Sequence, residues 1–270
     1  MGRAVRERLR EKRSGGEQLV MKKQLATVLD YYREFGFDAL PFRLEKRRAV
    51  PVLSPREPCD EATPAGNSDA CTGRDAALLA LRGKIGDCTL CKLSGGRTHM
   101  VFGEGSPDAD IMFIGEAPGR EEDAQGRPFV GDAGQLLSSM IEKMGLKRSG
   151  VYIANIVKCR PPDNRDPEAD EMVACFPFLN EQIRIIAPRI IVSLGRIATY
   201  NLMKPAQPIT KFSIMRERGK WFQYQDVPVM PTFHPAYLMR NRKDKWLTWS
   251  DMQAVLARLD ELKTKDGIAR

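Results

Sequence analysis

The sequence predicts an α/β fold in three layers, with helices covering both faces of a central, mostly parallel sheet. Short apolar runs alternate along the chain with longer segments whose apolar residues recur at helical spacing, a pattern typical of parallel strands joined by crossover helices. Hydrophobic residues make up 42% of the 270 residues, which is enough for one sizeable domain. The formal net charge of +8 favours a polyanionic partner.

An N-terminal extension, partly helical and partly disordered, is predicted over residues 1–74, ahead of a domain over residues 75–270. Met1–Arg13 is strongly basic and is either a DNA-contacting arm or a solvated terminus. Apolar residues recur at helical spacing over Glu17–Phe35, which predicts an amphipathic helix. Ala49–Arg74 is rich in proline, glycine and charge, so we interpret it as a linker.

The first half of the domain is predicted from apolar spacing and from the residues that interrupt it. Asp75–Ile85 has helical spacing, whereas Ile111–Ile114 is a short continuous apolar run that ends at a glycine, as a buried strand does. A second helix opens near Asp132, and its apolar residues continue over Leu136–Met144. Val151–Val157 is predicted as the next strand, because β-branched and aromatic residues dominate it.

The second half repeats the alternation of helix and strand and closes with a helix. Its strands are short and apolar, and its helices carry polar residues on one side. In chain order we predict a helix over Asp166–Ile186, a strand over Arg189–Leu194, a helix over Gly195–Met203, a hairpin of Trp221–Tyr224 and Val227–Thr232, and a helix over Asp244–Leu262.

A long loop rich in glycine and carboxylates separates the first strand from the next helix. From Gly115 to Gly134 it reads GEAPGREEDAQGRPFVGDAG. Loops that leave the C-terminal ends of parallel strands carry the ligand sites of α/β proteins. The carboxylates and the lone Phe129 among these glycines favour a functional loop over an ordinary acidic connection.

The cysteines pose a separate question about a metal. Cys88 and Cys91 form a CxxC pair, while Cys159 and Cys175 are widely spaced. Such a set binds zinc, binds an iron–sulfur cluster or stays unligated, and spacing alone leaves these alternatives open. The two remaining cysteines, which we interpret as incidental thiols, lie in the linker at Cys59 and Cys71.

Several motifs, in the same order, resemble those of the family 4 uracil-DNA glycosylases, enzymes that carry an iron–sulfur cluster. Gly115–Gly119, with the Glu-Glu-Asp and Gly-Arg-Pro-Phe-Val-Gly that follow, resembles their first motif, and His234–Arg240 resembles their second. The resemblance covers about Ala76 to Leu262. It implies an enzyme that hydrolyses the N-glycosidic bond of deoxyuridine in DNA and starts base excision repair. It also implies a 4Fe-4S cluster whose ligands are Cys88, Cys91, Cys159 and Cys175.

The resemblance also implies a pocket for a uracil that has been swung out of the DNA stack. Phe129 would stack on the base, and the Asn155 carboxamide would accept from N3–H and donate to O4, a pattern that cytosine reverses. His234 would donate to O2 and stabilise the charge that grows on the leaving base. The alternatives are a core phenylalanine, a turn-capping asparagine and a structural histidine.

The first motif departs from the best-known uracil glycosylases at two positions. Ala117 stands where they carry an aspartate that orients the attacking water, and Gly119 stands where a tyrosine excludes the methyl group of thymine. We therefore predict that Glu116 and Glu122 are catalytic, with simple solvation as the alternative for both. Gly115, Ala117 and Gly119 are predicted to line the substrate site.

The second motif carries two further predicted DNA contacts. Leu238 resembles the wedge that fills the gap left by a flipped base, and the alternative is a buried loop leucine. Arg240 would contact phosphate or belong to an ordinary basic face.

The predicted partner is uracil-containing DNA, single- or double-stranded, and we expect a cytoplasmic monomer. No apolar run is long enough to span a membrane, and the N-terminus lacks a signal-peptide core. The sequence gives no readable sign of a polymerase clamp as partner. Two other functions remain open: a uracil-DNA binding protein with weak or no turnover, and an iron–sulfur redox module. Cys159–Arg165 contains no histidine, which counts against the covalent uracil binders.

Overall fold

Six strands form one mixed sheet in the computed structural model, which describes residues 68–265 and 267. The sheet order is β1-β3-β2-β4-β6-β5. The four inner strands are parallel, and the two edge strands pair antiparallel. The predicted three-layer fold with a mostly parallel sheet is confirmed. The strands are β1 Glu104–Gly105, β2 Ile111–Gly115, β3 Tyr152–Asn155, β4 Ile190–Leu194, β5 Phe222–Tyr224 and β6 Val227–Thr232.

Eight α-helices are described, and they lie before, between and after the strands. In chain order they are α1 Ser68–Ile85, α2 Arg120–Gln125, α3 Asp132–Lys143, α4 Ala169–Ile186, α5 Gly195–Met203, α6 Ile214–Glu217, α7 Pro235–Arg240 and α8 Lys245–Lys265. None of the helices in the described part of the chain is long and apolar enough to cross a membrane.

The two faces of the sheet bury separate hydrophobic clusters, as alternating side chains of a doubly covered sheet must. Met112 and Ile114 of β2 face a cluster that contains residues of α1, α4 and α5. Ile111 and Phe113 face a cluster that contains residues of α3, α7 and α8. All four side chains are at most 1% exposed, so β2 lies at the centre of the fold.

Two helices begin several residues away from their predicted first residues. Helix α4 begins at Ala169 instead of Asp166, because Asp166 precedes Pro167 and a residue before proline disfavours helical geometry. Helix α1 begins at Ser68, inside the predicted linker, so the expected domain boundary after residue 74 falls within a helix. The predicted helix over Glu17–Phe35 lies outside the described residues.

Candidate active site

A cleft of about 400 Å³ opens at the carboxyl ends of the parallel strands, a size typical of small-molecule sites. Loops after β2, β3 and β6 meet there, which is where α/β sheets bind ligands. Almost all of the predicted site residues come together in this cleft. Those that line it are Glu116, Ala117, Gly119, Glu122, Phe129, Asn155, His234 and Arg240.

Asn155 lies at the end of β3 and is 1% exposed. Its Oδ1 is buried and has no hydrogen-bond partner among the described residues. A buried acceptor left unpaired costs about 1–3 kcal/mol, so this oxygen points to a ligand that donates to it. Gly115 makes the arrangement possible, because a Cβ at that position would lie 2.4 Å from Oδ1.

Phe129 lies beside Asn155 in a conformation that is rare for an aromatic residue. Its φ is +50°, in the left-handed region, and such strain is concentrated at functional sites. Two glycines admit it: a Cβ at Gly115 would lie 2.6 Å from the ring, and one at Gly134 would lie 2.0 Å from the Phe129 backbone. The loop is therefore shaped to place this ring at the cleft.

His234 faces the Phe129 ring, with ring centroids 5.5 Å apart. It caps helix α7, and its Nδ1 accepts the backbone N–H of Ala236 at 3.2 Å. The proton of the neutral ring must then be on Nε2. Burial lowers the pKa of the imidazole to about 4, with Glu122 opposing and Arg240 assisting the shift. His234 is thus a neutral hydrogen-bond donor at pH 7.

Close packing with Gly195 holds this histidine in place. Gly195 opens α5 with a φ of +88°, and a Cβ there would lie 2.9 Å from the Cβ of His234. A side chain at position 195 would therefore be strained and would also displace the imidazole.

Glu122 uses its carboxylate to hold the loop together. It accepts the backbone N–H groups of Gly119 at 3.1 Å, Val130 at 2.9 Å and Gly131 at 3.0 Å. Hydrogen bonds to an ionised carboxylate are among the stronger ones in proteins. A Cβ at Gly119 would lie 2.7 Å from Glu122 Oε2. A tyrosine at this position would therefore displace the Glu122 carboxylate from its hydrogen bonds.

Glu116 follows β2 directly and is the other carboxylate of the cleft. No hydrogen bond from the described residues fixes its carboxylate. Burial, assisted by nearby Asp166 and opposed by Arg196, raises the pKa of Glu116 to about 7. A carboxyl group that is free of other bonds and titrates near neutral pH suits proton transfer.

Leu238 differs from the prediction. Its side chain is fully buried and packs with Phe233 and Met252 in the core below α7, so it presents no apolar tip to DNA. The physical reason is the helix, which turns the fourth residue after His234 inward. The neighbouring Met239 is 41% exposed instead, and Arg240 lines the cleft as predicted.

The cysteines of the resemblance also come together. Cys88, Cys91, Cys159 and Cys175 all line one small cavity that has mostly apolar walls. Burial raises the pKa of the Cys159 and Cys175 thiols, that of Cys175 to about 11. Such thiols become thiolates only beside a strong positive charge such as a metal.

Nitrogen donors surround the same sulfurs. The Arg97 guanidinium donates to Cys159 Sγ at 3.2 Å and to the carbonyl of Cys88 at 2.7 Å. The backbone N–H of Lys158 donates to Cys175 Sγ at 3.3 Å. Hydrogen bonds to ligand sulfur are a feature of iron–sulfur sites, where they tune the cluster.

The four thiols supply a single type of donor on the walls of one cavity. Four cysteine sulfurs are a ligand set used both by zinc and by iron–sulfur clusters. Within residues 68–265 and 267, no group of three or more His, Cys, Asp or Glu side chains could hold a metal ion.

Sequence reasoning missed two residues near the cleft. Asp166 lines it and pairs with Arg196. Lys158 is 1% exposed and lines the cysteine cavity, and its Nζ donates to the backbone carbonyl of Asn155. Burial lowers the pKa of the Lys158 ammonium to about 8. The sequence does show a lysine between Asn155 and Cys159, which could have drawn attention to it. Its burial, however, depends on the fold and could not be predicted.

Comparisons with known proteins agree with this geometry. The family model described as "Uracil DNA glycosylase superfamily" matches residues 102–259. The type-4 uracil-DNA glycosylase of Sulfurisphaera tokodaii is 50% identical over 171 residues, which are 61% of this chain and 77% of that protein. The type-4 enzyme of Thermotoga maritima is 44% identical over 64% of this chain and 88% of its own length. A type-5 uracil-DNA glycosylase of Thermus thermophilus is 34% identical over 40% of this chain and 58% of its own.

Proposed function

Because this chain belongs to the uracil-DNA glycosylase superfamily, among relatives of the type-4 enzymes, we propose that it excises uracil from DNA. The reaction is hydrolysis of the N-glycosidic bond, and it leaves an abasic site that starts base excision repair. One observation carries the proposal: the buried Asn155 Oδ1 has no partner among the described residues and lies in a cleft with Phe129 and His234.

Recognition follows from the groups that meet in the cleft. A flipped uracil stacks on Phe129, donates N3–H to Asn155 Oδ1 and accepts from the Asn155 amide at O4. Cytosine presents an acceptor at N3 and a donor at its exocyclic amine. Its entry leaves the buried amide unpaired, at a cost of about 1–3 kcal/mol per group.

Leaving-group stabilisation is the task of His234. Since its Nδ1 accepts from Ala236, its Nε2–H is available to donate to uracil O2. As the glycosidic bond breaks, the electron pair goes to uracil N1 and negative charge spreads onto O2. A fixed neutral donor stabilises that charge without surrendering its proton, as a preorganised oxyanion site does.

Water activation is assigned to Glu116 and not to Glu122. The ionised Glu116 accepts a proton from the water whose oxygen bonds to the sugar carbon, and its pKa of about 7 suits that transfer. The Glu122 oxygens already accept three backbone N–H groups. Glu122 therefore acts by keeping Phe129 and its loop in place.

A 4Fe-4S cluster is proposed as the cofactor, held by Cys88, Cys91, Cys159 and Cys175. The bound cluster supplies a rigid link between chain segments and no step of the hydrolysis. The four thiols line one cavity, and Arg97 and the Lys158 N–H donate to two of them. Cys159 follows Asn155 by four residues, so the link supports the base-reading segment.

DNA contacts outside the pocket are assigned to the end of α7. Met239 is the exposed apolar side chain of that helix, and we assign it the wedge role that Leu238 does not fill. Arg240 lines the cleft beside it and contacts phosphate.

A single-turnover assay tests the proposed function. Oligonucleotides with uracil in single strands, in U:G pairs or in U:A pairs are incubated with excess enzyme, and abasic sites are revealed by alkaline cleavage. We expect uracil release, and none from matched thymine substrates. Tight binding to uracil DNA without release would contradict the proposal and favour a binding protein.

A further inference from the structure

Lys158 is a buried lysine whose hydrogen bonds reach the base-reading strand. Its side chain is 1% exposed, and its Nζ donates to the backbone carbonyl of Asn155 at 3.0 Å and to Gln182 Oε1 at 2.5 Å. Neither acceptor is a carboxylate. Two neutral oxygens therefore hold the buried ammonium, and one of them belongs to the base-reading residue.

The acceptor Gln182 is itself fully buried and fully engaged. Its Nε2 donates to the carbonyl of Phe102 at 2.9 Å and to the hydroxyl of Tyr152 at 3.2 Å. Gln182 lies on α4, the helix that also carries Cys175, and Tyr152 begins β3, the strand that ends in Asn155. The network therefore connects the helix and the strand that meet beneath the cleft.

The main chain of Lys158 extends the connection to the cysteines. Its N–H donates to Cys175 Sγ at 3.3 Å, its carbonyl accepts from Val101 at 2.8 Å, and the next residue is Cys159. One residue thus contacts two proposed ligand segments through its backbone and Asn155 through its side chain.

We propose that Lys158 is a positioning residue that sets the orientation of the Asn155 amide from the cysteine-bearing segments. The inference rests on the proposed function. Its ammonium holds the last carbonyl of β3, and the direction of that peptide determines where the Asn155 side chain points. Small displacements of a recognition group cost large factors in rate, about a hundredfold for 1 Å.

Lys158→Met tests the role, with Lys92→Met as a matched control. Lys92 also adjoins a cysteine, Cys91, but its ammonium pairs with Glu168 and is half exposed. We expect Lys158→Met to keep its iron content and visible absorption while the single-turnover rate on uracil DNA falls about tenfold or more. Lys92→Met should retain both. Loss of iron in step with activity in Lys158→Met would overturn the inference.

A double-mutant cycle with Asn155→Ala separates positioning from general damage to the fold. If Lys158 acts through Asn155, Lys158→Met should change the rate of Asn155→Ala by less than about threefold, because coupled residues are not additive. The same tenfold loss in both backgrounds would contradict the positioning role. Wild-type protein that releases no uracil would instead refute the proposed function itself.

A second variant keeps the test decisive if Lys158→Met folds poorly. Lys158→Met combined with Gln182→Met removes the ammonium and its side-chain acceptor together, so that Gln182 Oε1 is not left buried without a donor. We expect normal iron content with the rate still reduced. Recovery of the wild-type rate would show that Lys158 only satisfies Gln182.

Discussion

Asn155 and His234 both line the cleft, where we propose that they bind the edge of uracil. Asn155→Ala removes the acceptor for N3–H, and His234→Ala removes the donor to O2. We expect each to lower single-turnover excision by about a hundredfold or more, the loss typical of one oxyanion donor. Asn180→Ala, at a residue that pairs with Tyr224 away from the cleft, is the control and should keep the wild-type rate.

The two carboxylates of the loop should differ in their effect on pH dependence. The role proposed for Glu116 requires its ionised form, and its pKa is about 7, so the wild-type rate should fall as pH drops below about 7. Glu116→Gln should lower the rate at least about tenfold and remove this dependence between pH 5 and 7. His234 cannot cause it, because its pKa of about 4 lies below that range.

Glu122→Gln provides the contrast, since an amide keeps one acceptor oxygen but loses the charge that attracts the backbone N–H groups of Val130 and Gly131. We expect a lower melting temperature and an unchanged pH profile. The two assignments would be reversed if the fall in rate below about pH 7 disappeared in Glu122→Gln and persisted in Glu116→Gln.

Residue chemistry in the sequence was enough to single out Asn155 and His234, once the motifs supplied their context. It could not separate Glu116 from Glu122, because the difference lies in the three N–H groups that the folded loop turns toward Glu122. The burial of Leu238 could not be predicted from the sequence either. That side chain is directed by helix α7, which is only six residues long.

Strand β2 affects the site through its last residue, Gly115. A methyl group there would lie within 2.4–2.7 Å of Asn155 Oδ1 and the Phe129 ring, both of which must move. We therefore expect Gly115→Ala to fold and yet to lose about a hundredfold or more in excision rate. Gly150→Ala is the control, because nothing lies within 4 Å of its added methyl group. Equal rates in the two variants would show that excision tolerates displacement of Asn155 and Phe129.

At the scale of elements, segments with a clear apolar pattern were predictable and the shortest strand was not. Helix α5 and strand β6 have their predicted bounds of Gly195–Met203 and Val227–Thr232, and each end of the other three inner strands lies within two residues of its predicted position. Strand β1 has two residues and exists only because it pairs with β3. A strand of two residues is too short to show the apolar–polar alternation from which strands are predicted.

The four cysteines come from separate segments of the chain and line one cavity, so loss of one proposed cluster ligand should destabilise the whole domain. Protein purified from cells is expected to contain about four iron and four acid-labile sulfide per chain. Cys159→Ser should lower the iron content, the visible absorption and the melting temperature, because ligand binding energy is also folding energy. Cys59→Ser, at a position outside the described residues, should lower none of them. Stoichiometric zinc in a colourless protein would contradict the cluster.

The N-terminal extension should be dispensable for catalysis if it is deleted without removing any residue of helix α1. Removal of residues 1–67 keeps the helix whole, with Leu78, Leu81 and Ile85 in the core. We expect that variant to excise uracil at close to the wild-type rate, with weaker and less salt-dependent DNA binding if the basic arm contacts phosphate. A folded variant that binds iron but lacks activity would place catalytic groups in the extension.

The order of the groups along the chain has a consequence for synthesis. All four cysteines precede β6 and His234, and a chain is synthesised from its amino end. The four proposed cluster ligands have therefore all been synthesised before the residue that we propose stabilises the leaving base. A chain cut short before β6 would contain every proposed cluster ligand and lack a complete pocket.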